Sequence, residues 1–183
     1  MHVVLRTNRR TSWRTARTYG VLGAVLRACL GRADFRIVHL SIQSSHLHLL
    51  VEAADERALT RGMQSFTIRA ARALNRADGG CGEVFAYRYH ASQITTASYA
   101  RRALSYVLNN WRRHRQDFAN GRMLAAKLDP YSSALAFTGW TTRFAVPARY
   151  EPLPVSPPAT ELLRSSWSRY GPLDPFERPG PIV

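Results

Sequence analysis

Lysine is almost missing from this chain, and acidic residues are few. The 183 residues include 26 basic and 12 acidic side chains, and Lys127 is the single lysine. The net charge is +14 and the pI is about 11.1. Arginine binds phosphate through two parallel N–H bonds, which lysine cannot do, so the surplus points to nucleic acid. A GC-rich genome would favour arginine codons, but such a bias does not account for the 14 surplus positive charges.

Cysteine and long apolar runs are also scarce. Cys29 and Cys81 are isolated, so they form neither a disulfide framework nor a CxxC metal site, and a reducing cytoplasm fits this usage. No stretch stays apolar for the roughly 18 residues that a membrane span requires. The opening MHVVLRTNRR lacks the apolar centre of a signal peptide. We therefore expect a soluble cytoplasmic protein with no membrane association.

Strand and helix patterns alternate along the first two thirds of the chain. Apolar periodicity predicts strands over 2–7, 35–43, 46–53 and 84–94, and helices over 15–32, 58–76 and 97–115. This order is that of a ferredoxin-like, or RRM-like, α+β sandwich, with an antiparallel sheet and helices on one face. The other face would stay open, as in RNA-recognition modules.

The composition changes near residue 128. We expect a main domain over 1–128, a turn-rich aromatic extension over 129–146 packed on it, and an irregular C-terminal part over 147–183. This last part consists of a proline-rich linker and a short helix.

Two histidines lie one residue apart in the stretch SIQSSHLHLLVEA, residues 41–53. Side chains alternate along a strand, so His46 and His48 share one face while Leu47 and Leu49 share the other. Two imidazoles on one face form half of a divalent-metal site. The pattern alone is weak, because a pair of structural histidines would look the same.

Tyr106 and Asn110 are four residues apart in the helix predicted over 97–115. That spacing places both on one helical face, where the amide oxygen is a possible metal ligand and the phenol a possible nucleophile. The alternative is that Tyr106 is a core aromatic residue beside Leu104 and Val107.

Three features in this order resemble one known family: the HxH pair on a strand, the later stretch VFAYRYHA, and a helix with the pattern Y-x-x-x-N. They resemble the IS200-type transposases, and among these the REP-associated tyrosine transposases, in the HUH endonuclease superfamily. The resemblance runs from about His2 to Trp140. The chain departs from the family pattern at Ser45, where many relatives have Asn, and at Trp111, where relatives often have Pro.

The resemblance implies an activity and a site. Residues 1–128 would form the catalytic domain, in which His46, His48 and Asn110 would bind Mg²⁺ or Mn²⁺. Tyr106 would be the nucleophile that attacks single-stranded DNA at hairpin-containing sites, leaving a 5′-phosphotyrosine and a free 3′-OH. The resemblance also implies a bacterial protein, monomeric or homodimeric, that joins the nucleoid when bound to DNA. The rival interpretation is a domesticated, non-catalytic regulatory protein that binds hairpin DNA or RNA.

Basic residues near these positions are candidates for phosphate contacts. For any one arginine, a solvated surface position is the alternative. The predicted DNA-binding residues lie in the first loop, on one face of the strand predicted over 84–94, and beyond Asn110 on the helix: Arg6, Arg9, Arg10, Arg14, Arg88, His90, Arg112 and Arg113.

Overall fold

The structure is a computed structural model that describes residues 1–9, 11–119, 122–124 and 126–181. Its strands and helices, in chain order, are β1 (His2–Arg6), α1 (Ala16–Arg27), β2 (Phe35–Ile42), β3 (His46–Ala53), α2 (Glu56–Asp78), β4 (His90–Ser92), α3 (Ala97–Arg113), β5 (Phe118–Ala119), β6 (Arg122–Met123) and α4 (Glu161–Arg164). Two short 3-10 helices cover Ser133–Ala136 and Ser166–Tyr170. None of the helices in the described ranges is long and apolar enough to cross a membrane.

Each long helix begins at a polar side chain that accepts a hydrogen bond from the first helical turn. The cap of α1 is Thr15 and that of α2 is Asp55. Thr96 caps α3 by accepting from the amide of Tyr99 at 3.1 Å. These caps satisfy amide groups that have no partner within the helix. The sequence therefore fixes the helix starts locally.

The main sheet has four strands in the order β2-β3-β1-β4, and every pair of neighbours is antiparallel. This order and the two helical crossovers confirm the α+β, ferredoxin-like class. In the β1–β3 register, Val4 faces His48 and Arg6 faces His46. The centre of β3 is therefore flanked by paired strands on both sides.

Helices α1 and α2 cover one face of the sheet, as expected. Their apolar sides meet alternate residues of β1 and β3, including Val3, Leu5, Leu47 and Leu49, which are at most 1% exposed. The close approach of α2 depends on Gly62, since a Cβ there would lie 2.2 Å from the ring of Phe35. Burial on this face fixes the register of β3, because a slip by one residue would exchange its two faces.

The second face of the sheet is covered, so the expectation of an open face, with all helices on one side, is wrong. Helix α3 packs there through Leu104, Val107 and Leu108 against Val38 and Leu50 of the sheet. The physical reason is that α3 has its own apolar stripe, which must be buried against a second apolar surface.

The strand predicted over 84–94 is present only as His90–Ser92. Phe85 still forms an isolated bridge with Thr7, and His90 pairs with Val4. Between these two pairings the outer segment has four residues and β1 has two, so residues 87–89, which follow the bond from the Ala86 amide to Arg6, bulge out of the sheet.

The proline-rich segment is packed on the domain rather than extended as a free linker. Leu153 is 2% exposed and belongs to the core under α1. The carboxylate of Glu52 accepts from the amides of Ala159 at 2.7 Å and Thr160 at 2.9 Å. Trp167 and Leu173 then pack with α3 on the second face. The C-terminal part thus completes the cover of that face.

Candidate active site

The two histidines of β3 converge on the second face of the sheet. The Nε2 atoms of His46 and His48 are 2.8 Å apart. His48 is 3% exposed, while His46 is half-buried at the end of the strand. The pair therefore presents two ring nitrogens to a single point beside α3.

The other nitrogen of each ring also has a partner. Nδ1 of His48 lies 3.1 Å from Nε2 of His2, and Nδ1 of His46 lies 3.3 Å from the hydroxyl of Ser45. A metal-binding imidazole typically donates its distal N–H to such a partner. Ser45, which departs from the family pattern, thus still supplies a contact to the first histidine.

Helix α3 lies across the two histidines. The ring of Tyr106 meets His48 edge-on at 5.1 Å between centroids, and His114 meets His46 at 5.8 Å. Asn110 is halfway between Tyr106 and His114, and residues four apart share a helical face. Asn110 is therefore on the face of α3 that is turned toward the two histidines.

The side-chain amide of Asn110 has no hydrogen-bond partner among the described residues, although it is fully buried. A buried amide without partners costs about 1–3 kcal/mol, so such groups usually mark a ligand or an ordered water. Tyr106 is only half-buried. Its phenol is therefore more accessible to a substrate than the amide.

Burial keeps the imidazoles of the site neutral. The pKa of His46 is lowered to about 4, first by burial and then by the charges of His114 and Arg6. The pKa of His48 lies well below its ordinary value, again mainly because of burial. Burial, the N-terminal ammonium and His90 lower the pKa of His2 to about 4. At neutral pH these rings retain lone pairs that can bind a cation.

The donor set fits a divalent cation that keeps open positions. In the described ranges, no group of three His, Cys, Asp or Glu side chains is placed to hold a metal ion. A cation between His46 and His48 would therefore depend on the oxygen of Asn110 as its third protein ligand. Two nitrogens and a neutral oxygen, without thiolates, suit Mg²⁺ or Mn²⁺ better than a closed structural zinc site.

Three predicted DNA contacts lie exposed near this site. Arg6 is opposite His46 across the β1–β3 pair. Arg113 places its guanidinium carbon 6.0 Å from the centre of the Tyr106 ring. His90 of β4 is exposed on the same face of the sheet. Arg88 is exposed as well, but it lies in the bulge of residues 87–89, so it does not share a strand face with His90.

Two arginines expected to contact DNA have structural roles instead. Arg14 forms a bidentate pair with the buried carboxylate of Asp129, at 2.8 and 3.1 Å. Arg112 is 3% exposed and donates to Asp117 at 3.0 Å and to two backbone carbonyls. Both predictions were wrong for the same reason. Each guanidinium pairs with a carboxylate that is buried in the fold, so it is not free to contact DNA.

Two further arginines of the first loop, Arg9 and Arg10, were predicted to contact DNA. Arg9 pairs with Asp78 and Asn75 near the end of α2, so its guanidinium is largely engaged within the protein. Arg10 lies outside the described residues.

Sequence reasoning did not find His2 or His114. His2 belongs to the site because β1 pairs with β3, and this pairing is set by contacts between residues far apart in the chain. His114 is eight residues after Tyr106, which is a little over two helical turns. This spacing places both on about the same side of a helix, and the sequence could have indicated it.

Comparisons with known proteins give the family of this chain. A family model of transposases matches residues 1–110, which is more than half of the chain. The chain belongs to the IS200-like transposase family. No curated protein matches it.

A solved structure of a REP-associated tyrosine transposase bound to a REP hairpin is similar to this chain. The similarity covers 62% of this chain and 66% of that chain, with 16% identity and a TM-score of 0.47. The match thus spans just under two thirds of that protein.

Proposed function

We propose that this protein is an HUH-type single-tyrosine transposase of the REP-associated kind, which cleaves and rejoins single-stranded DNA at hairpin-containing sites. The observation that supports the proposal is that two imidazoles converge beside the helix that carries Tyr106 and Asn110. Two neutral imidazoles converge at 2.8 Å, the buried amide of Asn110 lacks a partner, and Tyr106 packs on His48. Membership in the transposase family supports the same conclusion.

The protein's own groups bind and orient the DNA backbone. Arg6 and Arg113 are exposed beside the histidines and Tyr106, so their charges attract a phosphate to this edge of the sheet. A bound Mg²⁺ or Mn²⁺, held by His46, His48 and Asn110, would supply Lewis-acid polarisation of the scissile phosphate. Packing of the Tyr106 ring against His48 limits its orientations, which lowers the entropy lost on reaching the attacking geometry.

Tyr106 then attacks phosphorus. A bond forms between the phenol oxygen and phosphorus, the bond from phosphorus to the 3′ oxygen breaks, and the leaving strand takes a proton to become a free 3′-OH. The phenol proton passes to solvent as the new bond forms, and Arg113, whose guanidinium carbon lies 6.0 Å from the centre of the Tyr106 ring, adds positive charge near the reacting phenol. Because one phosphodiester replaces another, a 3′-OH can reverse the step and join strands without ATP.

The decisive experiment is the detection of a covalent protein–DNA complex. The protein is incubated with a labelled hairpin oligonucleotide carrying a single-stranded flank, with Mn²⁺ or with EDTA, and is analysed on a denaturing gel. We expect an adduct with Mn²⁺ only, and its loss in His46→Ala, His48→Ala and Asn110→Ala with hairpin affinity retained.

Asn109→Ala is the matched control, because Asn109 is also buried but donates to the carbonyl of Asp174 at 2.9 Å. It should keep the adduct. An adduct of normal yield in His48→Ala would refute the proposed site. Tight hairpin binding by the wild-type protein without any adduct would indicate the non-catalytic DNA-binding protein instead.

A further inference from the structure

His2 occupies a place beside the site that the proposed mechanism does not use. It is 6% exposed and lies on the second face of the sheet, diagonal to His48 across the β1–β3 pair. Diagonal neighbours in a sheet are within reach of aromatic side chains. His2 Nε2 lies 3.1 Å from His48 Nδ1, within hydrogen-bond distance.

The two rings are arranged for a hydrogen bond between ring edges. Their planes differ by 17° and their centroids are 5.2 Å apart. For two rings that meet edge to edge, the distance between centroids is the distance between the facing nitrogens plus about two ring radii. The 3.1 Å between the nitrogens and the separation of the centroids fit this relation. The lone pair of an imidazole lies in the ring plane, so the contact is a directed N–H···N bond.

The direction of this bond decides whether His48 can bind a cation. A neutral imidazole has one N–H and one lone pair. If His48 donates from Nδ1 to His2, its Nε2 has the lone pair that faces Nε2 of His46. If His2 donates instead, the proton of His48 is on Nε2 and blocks that position. Only the first arrangement leaves His48 competent as a ligand.

We propose that His2 is a positioning residue of the metal site: it accepts the Nδ1–H of His48 and so holds that ring in the tautomer and orientation that bind the cation. This inference rests on the function proposed above. His2 also packs edge-on against Tyr106, with 5.6 Å between centroids. One imidazole therefore orients both a ligand and the nucleophile.

Two substitutions separate the hydrogen bond from the packing. Gln at position 2 retains an acceptor at about the place of Nε2, whereas Leu fills the space without one. Binding of Mn²⁺ is measured by calorimetry on the full chain without DNA. We expect His2→Leu to weaken Mn²⁺ binding by roughly 10- to 100-fold, the usual effect of losing such an outer partner. His2→Gln should stay within about threefold of the wild type, since it keeps that partner.

His39→Leu is the matched control for loss of a buried imidazole. His39 and His2 both pair with Leu50, on opposite sides of it, but His39 bonds to Ser133 at 3.0 Å rather than to a histidine. It should leave Mn²⁺ binding unchanged. Wild-type Mn²⁺ affinity in His2→Leu, or equal weakening in His2→Gln and His2→Leu, would overturn the role of His2.

A second measurement uses the unmodified chain without metal. Long-range ¹H–¹⁵N NMR spectra of the histidine rings report which nitrogen carries the proton. We expect His48 to be protonated at Nδ1 before any cation is added, and a proton at Nε2 would overturn the proposal even if His2→Leu failed to fold. Absence of Mn²⁺ binding by the wild type would refute the metal site itself, while the tautomer of His48 would still test His2 separately.

Discussion

At the scale of one residue, Asn110 suits the proposed metal site but lowers the stability of the fold. Its amide oxygen and nitrogen are both buried, and neither has a partner in the part of the chain that the structure describes. The neighbouring Asn109 donates its amide N–H to the backbone of Asp174. The two adjacent asparagines of α3 therefore differ in their contacts, and their sequence context does not reveal this difference.

Replacing Asn110 with leucine should stabilise the protein while it abolishes the activity. The substitution keeps the branched shape of the side chain and removes unpartnered polar atoms, so the free energy of unfolding should rise by about 1 kcal/mol. Urea denaturation measures the stability, and the adduct assay measures the activity. Asn109→Leu should instead lower stability, because it breaks a made hydrogen bond. A less stable Asn110→Leu would mean that the Asn110 amide is satisfied in the folded protein.

At the scale of the elements, α3 joins the site to the C-terminal part of the chain. Arg112, two residues after Asn110 on α3, stacks on Phe176 and donates to the carbonyl of Pro175 at 2.6 Å. Its partner Asp117 is also buried, at 2% exposed. The position of the helix that carries Tyr106 and Asn110 thus depends on contacts made after residue 113.

Arg112→Ala should destabilise the protein strongly. Removing one partner of a buried ion pair leaves the Asp117 carboxylate uncompensated, which costs about 3–5 kcal/mol. The urea midpoint checks this expectation, with Arg113→Ala as the control because Arg113 is exposed.

The double substitution Arg112→Met with Asp117→Leu should recover a large part of the loss, since two apolar residues can replace a buried pair. If Arg112→Ala were as stable as the control, the buried pair would have no structural role.

What the sequence could predict differs from element to element for physical reasons. The strands around His46 and the helix with Tyr106 were predicted because their patterns are local and strongly periodic. The strand over 84–94 was predicted too long, since aromatic content indicates a strand but does not reveal a bulge. The bond of Arg14 to Asp129 joins residues 115 positions apart. Composition reports the charge of such an arginine but not whether the fold buries it.

At the scale of the whole molecule, buried imidazoles link stability to pH. His2, His39 and His46 each have a pKa lowered to about 4, mainly by burial, from an ordinary value of 6.5. The pKa of His48 also lies well below its ordinary value, again mainly because of burial. Between about pH 4 and 6.5 the unfolded chain binds more protons than the folded chain. The stabilisation is therefore full above pH 6.5 and decreases as the pH falls through this window.

The urea midpoint, measured in EDTA, should decline steadily from pH 7 to about pH 4.5. His39→Asn should make the decline shallower, because it removes one titrating ring away from the site. Asparagine can keep a polar partner for Ser133, which lies 3.0 Å from Nδ1 of His39. A midpoint that does not change over this range would show that the four rings are not buried in neutral form.

The identity of the residue joined to DNA tests the central proposal most directly. The adduct formed with Mn²⁺ and a hairpin oligonucleotide is digested with protease and nuclease, and the modified peptide is sequenced by mass spectrometry. We expect a phosphate on Tyr106, no adduct from Tyr106→Phe, and a normal adduct from Tyr99→Phe, whose tyrosine lies on the same helix and packs near Arg102. A phosphate on any other residue, or an adduct of normal yield from Tyr106→Phe, would contradict the assignment of Tyr106 as the nucleophile.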